Sequence, residues 1–473
     1  MRLNRYLIML KLNEEDYLII NPLYGTAVRA DEELVEVLRG GSLESVPEEV
    51  MGSLVSLGFV VESEELDSRL RELVETDELP APENLRFNSF EFVLTWSCNF
   101  ACSYCFENKT KRELIGKMGI PHIESAFRFV DAYGDKSRGL SFMITGGEPL
   151  LVSNFPEVAT LFKEAKKRGA KVAITTNGFN LEYYINLFRK YAETIDSIRV
   201  TLDGPERIHN SRRPLWGGHP TFSQIVRGID EMISAGLGDK IVLITKWDES
   251  IVEYLPEYVE FLRDKGWLNE LQVTFGVVGN YGNSPSTKTE EFARTRTVVR
   301  KIIEYLRDNP ELVNSIGFSD EVGAVRLARS VLLEGKLPKP KARSCDGIRV
   351  KDRAVFSPDG SVYSCGMFAE AKILPIGQYH PSQALYADNI LKLRSRNVLT
   401  LGECQECPLL PVCAGGCPFR HLSVEEFYEL KSGIRDITQC TTCIDRVLLE
   451  NELSRFFYDL RTGAITPSNG GRG

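Results

Sequence analysis

The alternation between residues 90 and 278 limits what this chain can fold into more than any other feature. Apolar runs of strand length are FEFVLTW (90–96), LSFMIT (140–145), KVAITT (171–176), SIRVTL (197–202), KIVLITK (240–246) and LQVTFGVV (271–278). Between them lie amphipathic stretches of helical length, such as HIESAFRFVDAYG, FPEVATLFKEAKKRG and TFSQIVRGIDEMISAG. Strand-then-helix units in series predict a parallel sheet with helices on its outer face. Six strands predict a partial (βα)6 barrel, short of the eight that close one. After about residue 280 the alternation stops, and helical segments follow.

The flanks read differently. Residues 1–88 combine short strands (RYLIMLKL, DYLIIN, GTAVRA) with helices opening at Asp31 and Pro47, which predicts a small winged-helix-like α+β domain. TDELPAPENLRF, rich in proline and acids, reads as its linker to the barrel. The expected order is then the barrel at 89–310, a helical connector at 311–344, a cysteine-rich domain at 345–460 and a mobile Gly-rich tail at 461–473.

The 473 residues leave room for two or three domains, and 43% hydrophobic with 26% charged residues is ordinary for a soluble globular chain. No apolar run reaches membrane-spanning length and no secretory cleavage site is evident, so the expectation is a cytoplasmic protein without a membrane partner. A net charge of −9 argues against nucleic acid. Residues 1–88 hold 8 Lys/Arg against 19 Asp/Glu, a surface that repels phosphate.

Eleven cysteines fall in two groups. Cys98, Cys102 and Cys105 form C-x3-C-x2-C after the first barrel strand, on the face where ligands bind in parallel sheets. Zinc sites usually close with four ligands, and here there are three. Three thiolates on a four-iron cluster would leave one iron open to a small molecule. The later eight are Cys345, Cys365, Cys404, Cys407, Cys413, Cys417, Cys440 and Cys443. Two C-x2-C pairs among them permit a zinc reading, but it leaves four cysteines unexplained.

C-x3-C-x2-C, with Tyr104 inside it and Phe106 after it, resembles the signature of the radical S-adenosylmethionine (SAM) superfamily. The resemblance implies that SAM chelates the open iron, is cleaved by one electron, and yields a deoxyadenosyl radical that takes hydrogen from substrate. It also implies a donor for that electron, such as flavodoxin or ferredoxin. The GGEP of Gly146, Gly147, Glu148 and Pro149 is similar to the family's SAM-amino-group motif. Its glycines would admit a ligand to bare backbone, and Glu148 would meet an ammonium. Asn177 stands where members touch SAM. TLDGPERIHNSRR, with Asp203, His209 and Arg212, resembles another family run, with Asn210 where Asp is usual; Asp203-Gly204-Pro205 is also a natural turn and Arg212 also suits a carboxylate partner.

The later cysteines resemble the SPASM extension, which carries two auxiliary four-iron clusters and brings the total to three [4Fe-4S] clusters. By that resemblance Cys404, Cys407 and Cys413 share one cluster with a cysteine near the C-terminus, and Cys345, Cys365 and Cys417 belong to the other. The expected division places Cys443 with the first set and Cys440 with the second. Members of this subgroup act mostly on peptides. One reading is a maturase that installs a thioether or other crosslink in a ribosomally made peptide, with residues 1–88 holding its leader. Another is a sulfatase maturase forming formylglycine; those typically place Asp after the second SPASM cysteine, where this chain has Gly366. A three-cluster electron carrier would need no SAM pocket.

Overall fold

The computed structural model describes residues 1–41, 43–62, 64–105, 107, 116–281, 285–318 and 323–465. Phe106 and most of the predicted tail therefore lie outside the described residues. Of that tail, residues 461–462 end the final helix, Ser454–Thr462.

The strands run β1 (Arg2–Leu3), β2 (Ile8–Lys11), β3 (Asp16–Asn21), β4 (Thr26–Asp31), β5 (Val60–Val61), β6 (Ser89–Thr95), β7 (Ser141–Gly146), β8 (Lys171–Thr176) and β9 (Ile195–Thr201). They continue with β10 (Ile241–Trp247), β11 (Gln272–Val277), β12 (Ile316–Phe318), β13 (Arg353–Phe356), β14 (Ser361–Tyr363), β15 (Gly377–Gln378) and β16 (Ala384–Leu385). Eleven of them form one sheet in the order β12-β11-β10-β9-β8-β7-β6-β13-β14-β15-β16. The order is linear, so the sheet is open.

The six predicted barrel strands are β6 to β11, all parallel. Two more parallel strands extend them. β12 pairs with β11, inside the stretch expected to be a helical connector, and β13 pairs with β6. Strands of three or four residues carry too little periodicity to be read from sequence. The hairpin of VFSPDGSVYSC forms as β13–β14, with Gly360 at φ 86° in its turn. It continues the barrel sheet, so the segment bearing Cys345 and Cys365 joins the edge beside β6.

The pleat of β6 decides what faces the site. Phe90, Phe92 and Leu94 are fully buried and pack outward. Phe92 packs tilted against Phe356 at 5.1 Å and edge-on against Phe142 at 5.7 Å between ring centroids. Each such phenylalanine contributes about 2–3 kcal/mol by leaving water. With period two, Glu91 and Val93 must face the other way, into the barrel; the pairing with β7 shifts register after Val93.

Residues 1–75 place the antiparallel sheet β2-β3-β4 before helices Glu32–Gly40, Glu48–Ser56 and Glu65–Glu75, with β1 and β5 paired. Asp31 caps the first helix by accepting from the Leu34 N–H, and Gly41 ends it in the left-handed region. The unit is tied down at both ends. Ser454 Oγ donates to Lys11 O at 2.6 Å, and Asp77 pairs with Arg343 at 2.6 Å and Arg349 at 3.1 Å. Among the described residues, no helix is long and apolar enough to cross a membrane.

Candidate active site and thiol clusters

The loop bearing Cys98, Cys102 and Cys105 leaves the carboxyl end of β6. Three backbone bonds pin it to residues 212–216: Ala101 N–H to Pro214 O (2.8 Å), Ser103 N–H to Arg212 O (2.9 Å) and Trp216 N–H to Asn99 O (3.1 Å). Cys102 is buried, while Cys98 and Cys105 are part-exposed. The neighbouring strand ends converge on this loop. Asn177, after β8, donates from Nδ2 to Asn99 Oδ1 at 2.8 Å and lies 4.0 Å from Cys98 Sγ.

Glu148 is 1% exposed. Its Oε1 accepts from Thr176 Oγ1 (2.6 Å) and Leu150 N–H (2.8 Å), and its Oε2 from Asn177 N–H (2.6 Å). Burial raises its pKa, and the three donors hold that rise back. The carboxylate thus fastens the loop after β7 to the end of β8. A Cβ at Gly146 would stand 2.2 Å from Thr95 O, and one at Gly147 2.5 Å from Ser97 O. Both glycines are needed because the backbone after β6 already lies against them.

Asp203, Arg212 and Tyr104 form one network. Tyr104 donates to Asp203 Oδ2 and accepts from Arg213 Nη1 at 2.7 Å. Arg212 Nε stands 3.6 Å from Asp203 and its Nη1 bonds Asp248. Arg212 therefore has its carboxylates inside the protein. Arg213, which sequence reasoning passed over, is buried, and the Cys102 thiol is among the groups that raise its pKa against burial. The doublet Arg212-Arg213 offered no signal as to which member turns toward the cysteines. His209 is structural. Burial, then Arg213 and Arg212, push its pKa well down. The neutral ring accepts from Asp203 N–H at Nδ1 (3.0 Å), so Nε2 donates to Thr221 Oγ1 (3.1 Å). Asn210 Oδ1 accepts from Thr221 N–H (2.8 Å) and Phe222 N–H (2.9 Å) at the start of helix Phe222–Ser234. An amide oxygen serves there as well as a carboxylate.

The later cysteines separate into two sets and one outlier. Burial pushes the Cys365 thiol up to about 12, with Cys345 and Cys417 adding to the rise. A Cβ at Gly347 would fall 3.5 Å from Cys365 Sγ and 3.8 Å from Cys345 Sγ, so that glycine keeps space open between them. In the second set burial pushes Cys413 up to about 12, with Cys407, Cys443 and Cys404 adding to it. Cys440 has other neighbours. Its thiol points to Asp436 O at 3.5 Å, and beyond burial the groups acting on it are Arg435, Arg396 and Glu426. It lines a different cavity, beside Lys288 and Glu403. Cys440 and Cys443, three positions apart, line different cavities, which spacing alone does not disclose.

A cavity of about 760 Å³ reaches both sets and is lined by Cys345, Cys413, Cys417 and Cys443. Arg396, fully buried, spans the space between. It donates to Ser344 Oγ (2.9 Å), Ala414 O (3.2 Å), Gly415 O (2.8 Å) and Cys440 O (2.8 Å). All of its bonds go to carbonyls or a hydroxyl, none to a carboxylate. Burial lowers its pKa, while Cys345, Cys413, Cys417 and Cys404 raise it. Such an unpaired buried cation is costly unless an anion joins it. Thiolate-ligated iron–sulfur clusters are anionic, so the donor set and its counter-charge suit them. Among the described residues, no three His, Cys, Asp or Glu converge on a single ion. Cubane ligands stand farther apart, because each holds a different iron.

The turn between Cys413 and Cys417 is built from three successive left-handed residues, Ala414, Gly415 and Gly416. A Cβ at Gly416 would stand 2.3 Å from Thr442 O. Gly416→Ala is expected to lower unfolding free energy by about 2 kcal/mol or more, read from urea denaturation. An unchanged midpoint would contradict this geometry.

Residues 92–273 match the model of the radical SAM superfamily. Among curated relatives, the GTP 3′,8-cyclase of Vibrio atlanticus is 28% identical over 184 residues, 38% of this chain and 52% of that protein. The GTP 3′,8-cyclase of Psychromonas ingrahamii is 30% identical over 156 residues, 32% of this chain and 42% of that protein. The chain thus spans about half the length of the curated relatives it matches. Among solved structures, anSMEcpe with bound AdoMet aligns with TM-score 0.54 at 18% identity, covering 73% of this chain and all of that one. SuiB of Streptococcus suis, bound to its precursor peptide SuiA, aligns with TM-score 0.52 at 14% identity, covering 94% of this chain and 99% of that one. The motif order, the convergence of the strand ends on the three cysteines and the matching model place residues 92–273 of this chain in the radical SAM superfamily.

Proposed function

We propose that this chain is a radical SAM enzyme of the SPASM type that forms a thioether or other crosslink in a ribosomally made peptide. The observation that carries the auxiliary-cluster reading is Arg396, buried without a carboxylate between two thiol sets. When bound, the clusters would cleave SAM at Cys98, Cys102 and Cys105 and handle electrons at the other two sites. The chain's own part is positional. Cys404, Cys407, Cys413 and Cys443 would close one cluster. Cys345, Cys365 and Cys417 would hold the other with three thiols, leaving an iron for a substrate thiol. Asn177, Tyr104, Asp203 and Arg212 would shape the SAM pocket, and Gly146, Gly147 and Glu148 would fix its wall.

The peptide reading is supported by the alignment with peptide-bound SuiB, which spans 94% of this chain and so extends beyond the barrel. The antiparallel sheet β2-β3-β4 offers β4 as an edge to which an extended leader can add. The acidic balance of residues 1–88 favours a basic leader. A nucleotide reading is supported by the GTP 3′,8-cyclases, whose match covers only 38% of this chain. The formylglycine reading loses its usual aspartate at Gly366.

One assay separates them. Anaerobically reconstituted protein receives SAM and dithionite with either GTP or the short peptides encoded beside its gene. A peptide losing two hydrogens per new bond, with GTP unconsumed, is expected. Turnover of GTP alone would overturn the peptide reading.

A further inference from the structure

Among the described residues of β6 to β11 and β13, the one carboxylate that the strand register places on the inner face is Glu91. Parallel neighbours in register share a face, and Glu91 on β6 is in register with Met143 on β7 and Val355 on β13. Carried across β6 to β11 and β13, this register places only basic residues among the other charged groups of that face: Lys171, Arg199, Lys246 and Arg353.

Its surroundings place Glu91 between the two kinds of thiol site. Thr145 Oγ1 donates to Glu91 Oε1 at 2.9 Å, and Thr145 directly precedes Gly146 and Gly147 against the Cys98 loop. The same oxygen would stand 3.5 Å from a Cβ at Gly366, the residue after Cys365. Arg353 Nη2, 3.3 Å from Oε2, fixes the second oxygen. No side chain at position 366 separates the carboxylate from the Cys365 turn.

We propose that Glu91 is the proton acceptor for the bond-forming step, an assignment that rests on the peptide-crosslinking reading above. Joining a carbon to a sulfur breaks one C–H and one S–H bond and forms one C–S bond. One hydrogen atom leaves with the deoxyadenosyl radical as deoxyadenosine. One electron goes to a one-electron oxidant, an oxidised iron–sulfur cluster. One proton remains, and Glu91 is the inward-facing base placed to take it. Its position between the Cys98 loop and the Cys365 turn is where the donor radical and the electron acceptor would both be near substrate.

The test uses full-length reconstituted protein and the peptide that wild type modifies among those encoded beside the gene. In Glu91→Gln, product is expected to fall about 100-fold or more, the range of general-base catalysis. Deoxyadenosine per product should rise at least tenfold, because radicals form without being resolved. Iron per chain should match wild type, and Glu91→Asp should recover part of the product. A Gln variant with wild-type product and an unchanged ratio would overturn the assignment. So would an Asp variant as inactive as the Gln variant with iron lost in both, because the role is then structural. If wild type cleaves SAM but alters no peptide, the crosslinking reading itself fails and the assignment falls with it.

Discussion

Cys98→Ala abolishes 5′-deoxyadenosine formation, to at least 1,000-fold below wild type by order of magnitude, if the three clustered cysteines hold the SAM-cleaving cluster. Two thiols cannot retain a cubane that three already leave open. Cys98 is also tied into the loop geometry: its Sγ lies 3.4 Å from the Phe100 N–H, and its carbonyl accepts from Trp216 Nε1 at 2.9 Å. The carbonyl bond survives the substitution, so the loop keeps its course while the metal is lost. Iron should fall by about four atoms per chain from about twelve. Deoxyadenosine formed at wild-type rate would place SAM cleavage elsewhere in the chain.

Arg396→Met should act at the other end of the molecule. Two effects oppose each other in cluster-free protein. Methionine strands the carbonyls of Ala414, Gly415 and Cys440, at about 1–3 kcal/mol each. It also removes a buried charge that has no carboxylate, worth several kcal/mol in the other direction. In the loaded protein only the losses remain, because the anionic clusters lose their shared counter-ion. Cluster-free stability should therefore change little, while iron should fall from about twelve toward about four atoms per chain. Arg396→Lys, which keeps the charge, should retain more iron than the methionine variant. Equal loss in both would mean that the bonds to the turns matter and the charge does not.

How far the sequence could be read depends on the length of the signal. β6 to β11 run six or seven residues each with helices between, and their order was legible. β12 and β13, at three and four residues, gave no period, so the joining of the Cys345 segment to the barrel edge was not. Motif spacing brought Cys98, Cys102, Cys105 and Asn177 to one place. It could not tell that Glu148 spends its carboxylate on Thr176 and Asn177, since a side chain's partners depend on strands far apart in sequence. Cys440 and Cys443 show the same limit at short range: three positions apart, they face different cavities. Glu91 gave no motif at all, and only the register carried across β6 to β10 and β13 reveals that the other charged residues on its side of these strands are basic.

In the proposed enzyme one SAM-cleaving site stands beside two separately held auxiliary clusters. Iron content and electron paramagnetic resonance of a Cys98→Ala, Cys102→Ala, Cys105→Ala triple variant, reconstituted without oxygen, test it most directly. The account predicts about eight irons per chain, with auxiliary cluster signals kept and no deoxyadenosine formed. A triple variant that binds no iron–sulfur cluster would contradict it.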